Sequence, residues 1–191
     1  MQNSLFGQPE VEIEVVDPPP EVYLIDSSSV IRLDGKDRNP PAHSYTPVER
    51  ELVWEGLEKF TEAGRIKVIK EVREELERYD PVGLERLRQY PAHRLIVRRT
   101  QKVVQAFQGI TTAHPDLMKG GSRYNPADPW LILVAERDDY TIITEELPRL
   151  ARTTMRRRKQ RLERIPDVCM ARQMKPIINL RDLAIQEGWI T

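Results

Sequence analysis

Two short apolar runs, VYLID (residues 22–26) and YTIIT (residues 140–144), are each followed or closed by acids: Asp26 ends the first, and Glu145 and Glu146 follow the second. Runs of this length without polar alternation read as strands buried on both faces, the environment of a parallel sheet. Parallel neighbours cannot be joined by a hairpin, so such strands require crossover connections, usually helices.

The intervening sequence supplies those helices. Residues 46–63 carry Val48, Leu52, Val53, Leu57 and Phe60 at roughly helical spacing and stop at Gly64. RIKVI (residues 65–69) predicts a second strand. After it comes a charged helix over 70–79, with Val72 and Leu76 on one face and Glu75 near them. Pro81 opens a helix to about Tyr90, and another is expected over 99–108, carrying Val103, Val104 and Phe107. Asn125 and Pro126 mark the start of a helix over 127–136 whose WLILVA run is apolar nearly all round, so it should be deeply buried. Pro166 starts a short helix at Asp167, PIIN (residues 176–179) predicts a last strand, and residues 180–188 a last helix. The expected fold is α/β: an α/β/α sandwich with a central parallel sheet, formed by residues 22–191 as one domain. Residues 1–21 form an acidic arm with five acids and no base, and Pro18, Pro19 and Pro20 near its end.

Charge and composition limit the partners. With 30 Lys and Arg against 30 Asp and Glu, the net charge of zero gives no global attraction to nucleic acid or anionic lipid, so such contacts must be local. Residues 151–164 form a basic segment in which seven bases face the single acid Glu163. No apolar run approaches the roughly 20 residues of a membrane span, and the first residues lack a basic start followed by an apolar stretch, so no membrane partner and a cytoplasmic location are expected. One cysteine, Cys169, and three scattered histidines exclude an internal disulfide framework and a Cys/His zinc cluster. A metal, if bound, must be held by carboxylates. In open parallel sheets ligands bind outside the carboxyl ends of the strands, where Asp26, Glu145 and Glu146 lie, and Asp128 opens the buried helix. Carboxylates gathered together raise one another's pKa values, and the usual compensation is a hard divalent cation, Mg²⁺ or Mn²⁺. Each acid alone also has a structural explanation: Asp128 can favour its helix N-terminus, and Glu146 can cap a turn.

Five motifs carry a resemblance. YLIDSSSVIRL (residues 23–33), VREEL (72–76), DPWLILVAE (128–136), IITEE (142–146) and IPDVCMA (165–171), in this order, resemble a bacterial subgroup of PIN-like proteins. The resemblance implies an α/β/α sandwich and a metal-dependent endoribonuclease, the toxin of a toxin–antitoxin pair, with RNA as substrate and a cognate antitoxin as partner; a homodimer is compatible with it. Carried over residue by residue, the first aspartate falls on Asp26, and Ser28 matches the small polar residue that orients it. The helical glutamate falls on Glu75, which directly precedes Leu76, rather than on Glu74. The third acid falls on Asp128. The fourth, in a Thr-x-Asp pattern, falls on Thr144 and Glu146, where this chain departs by using glutamate. Asp167 is a subgroup position and a candidate outer ligand. The resemblance thus implies that Asp26, Glu75, Asp128 and Glu146, with Asp167 outside them, hold Mg²⁺ or Mn²⁺ and activate water, while Ser27, Ser28 and Ser29 satisfy the turn after the strand. Arg156, Arg157 and Arg158 are candidate RNA-phosphate contacts, with antitoxin docking as the other use of that segment. The alternative function is a catalytically inactive PIN-like module that binds RNA or protein.

Overall fold

In the computed structural model, which describes residues 20–36, 45–118, 126–151 and 162–191, the central strand is β1 (Tyr23–Ile25). It pairs in parallel with β2 (Ile66–Lys67) on one side and β3 (Thr141–Ile143) on the other. All residues of β1 and β3 are buried, as their unbroken apolar runs require. Single parallel bridges, Val68 to Ile96 and Ile143 to Ile178, extend the sheet by one segment at each edge. Numbered along the chain, the five segments lie in the order 3-2-1-4-5, a doubly wound arrangement whose direction reverses between β1 and β3.

The PIIN segment is therefore one bridge and not a full strand. Ile178 donates its N–H to Ile142 and accepts from Thr144, both at 3.0 Å. Pro176 has no N–H for a ladder, and Asn179 already caps the next helix through the Asp182 N–H.

Helices make up most of the rest. Helix α1 (Ser27–Leu33) starts directly after β1, so Ser27, Ser28 and Ser29 are helical where the sequence suggested a loop. The reason is that Asp26 acts as N-cap, while Val30 and Leu33 reach the core. Helix α2 (Pro47–Glu62) is opened by a capping box between Thr46 and Glu49 and followed by Gly64 at φ +74°. Its buried stripe is Val53, Trp54, Leu57 and Phe60; Val48 and Leu52 face solvent, contrary to their expected place on the apolar face. Trp54 occupies the core instead, with its Nε1–H donating to Asp34 at 3.0 Å.

Helices α3 (Lys70–Tyr79) and α4 (Pro81–Arg88) meet at Asp80, whose buried carboxylate caps α4 through the Gly83 N–H. After the short α5 (Ala92–Leu95), α6 (Gln101–Ala113) runs beyond its expected end because Ile110 adds another buried position. Helix α7 (Ala127–Asp138) is buried from Pro129 to Ala135, as its all-apolar run predicts, and Trp130 stacks on Phe107 of α6 at 3.9 Å between ring centroids. Helix α8 (Ile165–Ala171) begins just ahead of Pro166, which suits a first-turn position, and α9 (Leu180–Gln186) closes the fold. Among the described residues no helix is long and apolar enough to cross a membrane. Arg156, Arg157 and Arg158 and the arm up to residue 19 lie outside the described residues.

Candidate functional site

The strand order reverses between β1 and β3, the place where open α/β sheets take ligands at the carboxyl ends of their strands, and Asp26 stands there as the residue after β1. It is 4% exposed. Its Oδ1 accepts the Ser27 N–H at 2.8 Å, and its Oδ2 accepts the hydroxyls of Ser28 at 2.5 Å and Thr144 at 3.0 Å. The two hydroxyls are themselves oriented. Ser28 Oγ accepts the Glu145 N–H at 3.1 Å, and Thr144 Oγ1 accepts the Glu146 N–H at 3.2 Å, which leaves each hydroxyl proton to point at Asp26. Consecutive backbone N–H groups after β3 thus set the orientation of a side chain after β1. Ser28, matched to an orienting residue, thus bonds Asp26, and Thr144 does so as well.

Glu75, on α3, accepts the Ser27 hydroxyl at 2.7 Å. Burial is the main cause that raises its carboxyl above the ordinary range, and nearby Asp26 adds to it. Glu74, the other acid of VREEL, points elsewhere and pairs with Lys70 at 3.1 Å. Asp128, in the first turn of α7, is raised well above the ordinary range, first by desolvation and then by the charges of Glu146, Asp26 and Glu75. Glu146 is raised by desolvation and by Asp26, and is held against further rise by Arg164. Its Oε1 accepts from Arg164 Nη1 at 2.6 Å and its Oε2 from the Ile165 N–H at 3.1 Å.

The four acids Asp26, Glu75, Asp128 and Glu146 therefore come from four separate elements and act electrostatically on one another. The donor set, all carboxylate oxygen, is that of a hard divalent cation. Among the described residues no three His, Cys, Asp or Glu side chains are gathered tightly enough to hold a metal ion as they stand, so ligation requires the carboxylates to draw inwards. Asp26 is held by three donors, and Glu75 by the Ser27 hydroxyl.

Two neighbouring acids have structural roles. Glu145 pairs with Arg32 of α1 and accepts the Leu180 N–H at 3.0 Å, tying α1 and α9 to the end of β3. Asp167 accepts the backbone N–H groups of Arg149 at 2.6 Å and Arg164 at 3.0 Å, so it caps α8 and anchors the turn before it. Sequence reasoning missed two contacts at the site. Ser27, assigned to the turn, holds Glu75, and Arg164, counted with the basic segment, neutralises Glu146.

A family model described as a domain of unknown function (DUF4411) matches residues 23–190. The chain belongs to this family. The DUF4411 match begins at the first residue of β1 and extends past α9, so all four acids and their partners lie inside it. No curated protein and no solved structure matches the chain.

Proposed function

We propose that the protein is a metal-dependent endoribonuclease of the PIN type and the toxin of a toxin–antitoxin pair, with RNA as substrate and a cognate antitoxin as partner. The observation that carries this reading is the meeting of Asp26, Glu75, Asp128 and Glu146 at the sheet edge where doubly wound folds take their ligands. Burying mutually repelling carboxylates costs stability, and a divalent cation is the natural counter-charge. Held by Asp26, Glu75 and Asp128, Mg²⁺ or Mn²⁺ would supply an acidified water and offset the charge that builds on a scissile phosphate. The chain's own groups do the positioning. Ser28 and Thr144 hold Asp26 to one orientation, Ser27 holds Glu75 nearby, and Arg164 keeps Glu146 at the rim of the cluster.

Cleavage of single-stranded and structured RNA, with Mg²⁺, Mn²⁺ or chelator, tests the reading. Asp26→Asn and Asp128→Asn should each lower metal-dependent cleavage by several orders of magnitude while circular dichroism stays native. Glu146→Gln should cost less, because protein groups already engage both of its oxygens. Wild-type cleavage by folded Asp26→Asn protein would sink the assignment. That same engagement of Glu146 favours a second reading, a PIN-like module that binds RNA or a protein without cutting. RNA binding with no cleavage under any metal would select it.

A further inference from the structure

Helix α3 borders a second feature besides the acid cluster. A cavity of about 540 Å³ is lined by residues of α3 together with Leu84, Ile96 and Val97, and Glu71 in its lining lies one helical turn before Glu75. That volume suits one nucleotide-sized ligand. On its other side Arg99 lies over the face of Trp130, at 4.3 Å from the ring centroid, and Trp130 is two residues beyond Asp128. Cavity and acid cluster thus share α3, and Arg99 links the cavity wall to α7 through Trp130.

The charges in the cavity are unequal. Five cations line it against three acids. Lys70 pairs with Glu74 at 3.1 Å and Arg88 with Glu77 at 3.2 Å. Glu71, 1% exposed, accepts no hydrogen bond, and its Oε1 lies 3.0 Å from Arg99 Nη1. A buried carboxylate so placed depends on Arg99 for compensation, so Arg99 is pinned between Glu71 and Trp130 as a wall of the cavity. Arg73 and Arg98 remain, and neither forms an ion pair with a described residue. Two guanidinium groups beside an apolar wall match a ligand with a flat apolar body and a phosphate.

We propose that this cavity is a nucleotide subsite: the base packs against Leu84, Ile96 and Val97, and the phosphate is taken by Arg73 and Arg98. The proposal rests on the nuclease reading for its place in the substrate, where it holds a nucleotide flanking the bond to be cut. The acid cluster repels the backbone everywhere except at a bound cation, so a strand crossing it needs a cationic hold close by.

The test is calorimetric titration of Asp26→Asn protein in chelator at low salt with 5′-mononucleotides, nucleosides and inorganic phosphate. Mononucleotides should bind saturably and about 10-fold more tightly than either fragment alone, as expected when base and phosphate are both recognised. Arg73→Ala with Arg98→Ala should weaken that binding at least about 10-fold, and Arg98→Glu, at an exposed position, should do so alone, with native circular dichroism in both. For a short RNA the salt slope should fall by about 0.7 for each phosphate contact removed. Phosphate binding as tightly as the nucleotide, or nucleotide affinity unchanged in the arginine variants, overturns the subsite. RNA cleavage without mononucleotide binding overturns the subsite alone. Nucleotide binding through Arg73 and Arg98 without RNA cleavage by the wild type in Mg²⁺ or Mn²⁺ overturns the nuclease reading and leaves the cavity a nucleotide site.

Discussion

Burial, together with the charges of Glu146, Asp26 and Glu75, raises the Asp128 carboxyl well above the ordinary carboxylate range, so ionising it opposes folding. Because the folded-state pKa lies above the unfolded one, the native chain binds more protons between the two values. Stability is then fully present below the unfolded pKa of about 4 and falls as pH rises through the folded pKa. Glu75 and Glu146 are shifted in the same direction and add to the trend. The melting temperature of the wild type in chelator should therefore fall between about pH 4 and neutrality. Asp128→Asn should flatten that fall and raise the melting temperature near pH 7 by about 2–4 °C, or about 1 kcal/mol. Differential scanning calorimetry across this pH range checks it, and an Asp128→Asn curve parallel to the wild type would show that Asp128 is not the strained group. The acids themselves were legible in the sequence as motif positions. Their partners were not, because Ser27 meets Glu75 across 48 residues and Arg164 meets Glu146 across 18, and no local pattern encodes such pairings.

At the scale of elements, helix boundaries were readable where local chemistry sets them. Gly64, Pro81 and Pro126 all mark ends by backbone constraint. Which face each helix buries was less readable, as Val48 and Leu52 show, because the apolar stripe is chosen by what the helix meets. Gly56 in α2 shows the same dependence. By propensity alone, alanine there should gain about 1 kcal/mol. A Cβ at this position, however, would lie 2.1 Å from Cδ2 of Trp189, whose ring is seated edge-on against Phe60 at 4.8 Å. Gly56→Ala is expected to destabilise by about 1–3 kcal/mol through the displaced indole. Urea unfolding measures it, and an increased midpoint would mean that Trp189 moves aside at no cost.

Among the described residues of the whole molecule, one hydrophobic cluster extends from Tyr23 in β1 to Ile190 after α9, so the strands and the helices α1–α9 draw on one core. Unfolding should be cooperative on that basis. Cys169 in α8 belongs to this core, and burial pushes its thiol up to about 12. A thiol so raised is almost wholly protonated at pH 8 and shielded from reagents. The native protein should accordingly react with an aromatic disulfide reagent only as fast as it opens. Reaction should accelerate along the same urea transition that circular dichroism follows. Rapid labelling below that transition would instead reveal local opening at α8.

The sequence by itself determined the class of fold: strand-length apolar runs too uniform for a one-sided sheet, separated by helices, admit little besides a parallel α/β arrangement. It also placed acids at strand ends, since a strand and the residue following it are continuous in the chain. Only the tertiary structure decided the order 3-2-1-4-5, the reduction of PIIN to one bridge, and the relay from the N–H groups of Glu145 and Glu146 through two hydroxyls to Asp26. The relay depends on contacts between segments more than 100 residues apart, formed when β1 and β3 pair, while the other bridges join segments nearer in the chain. Their geometry is set by packing across the sheet, which the local composition of neither segment records.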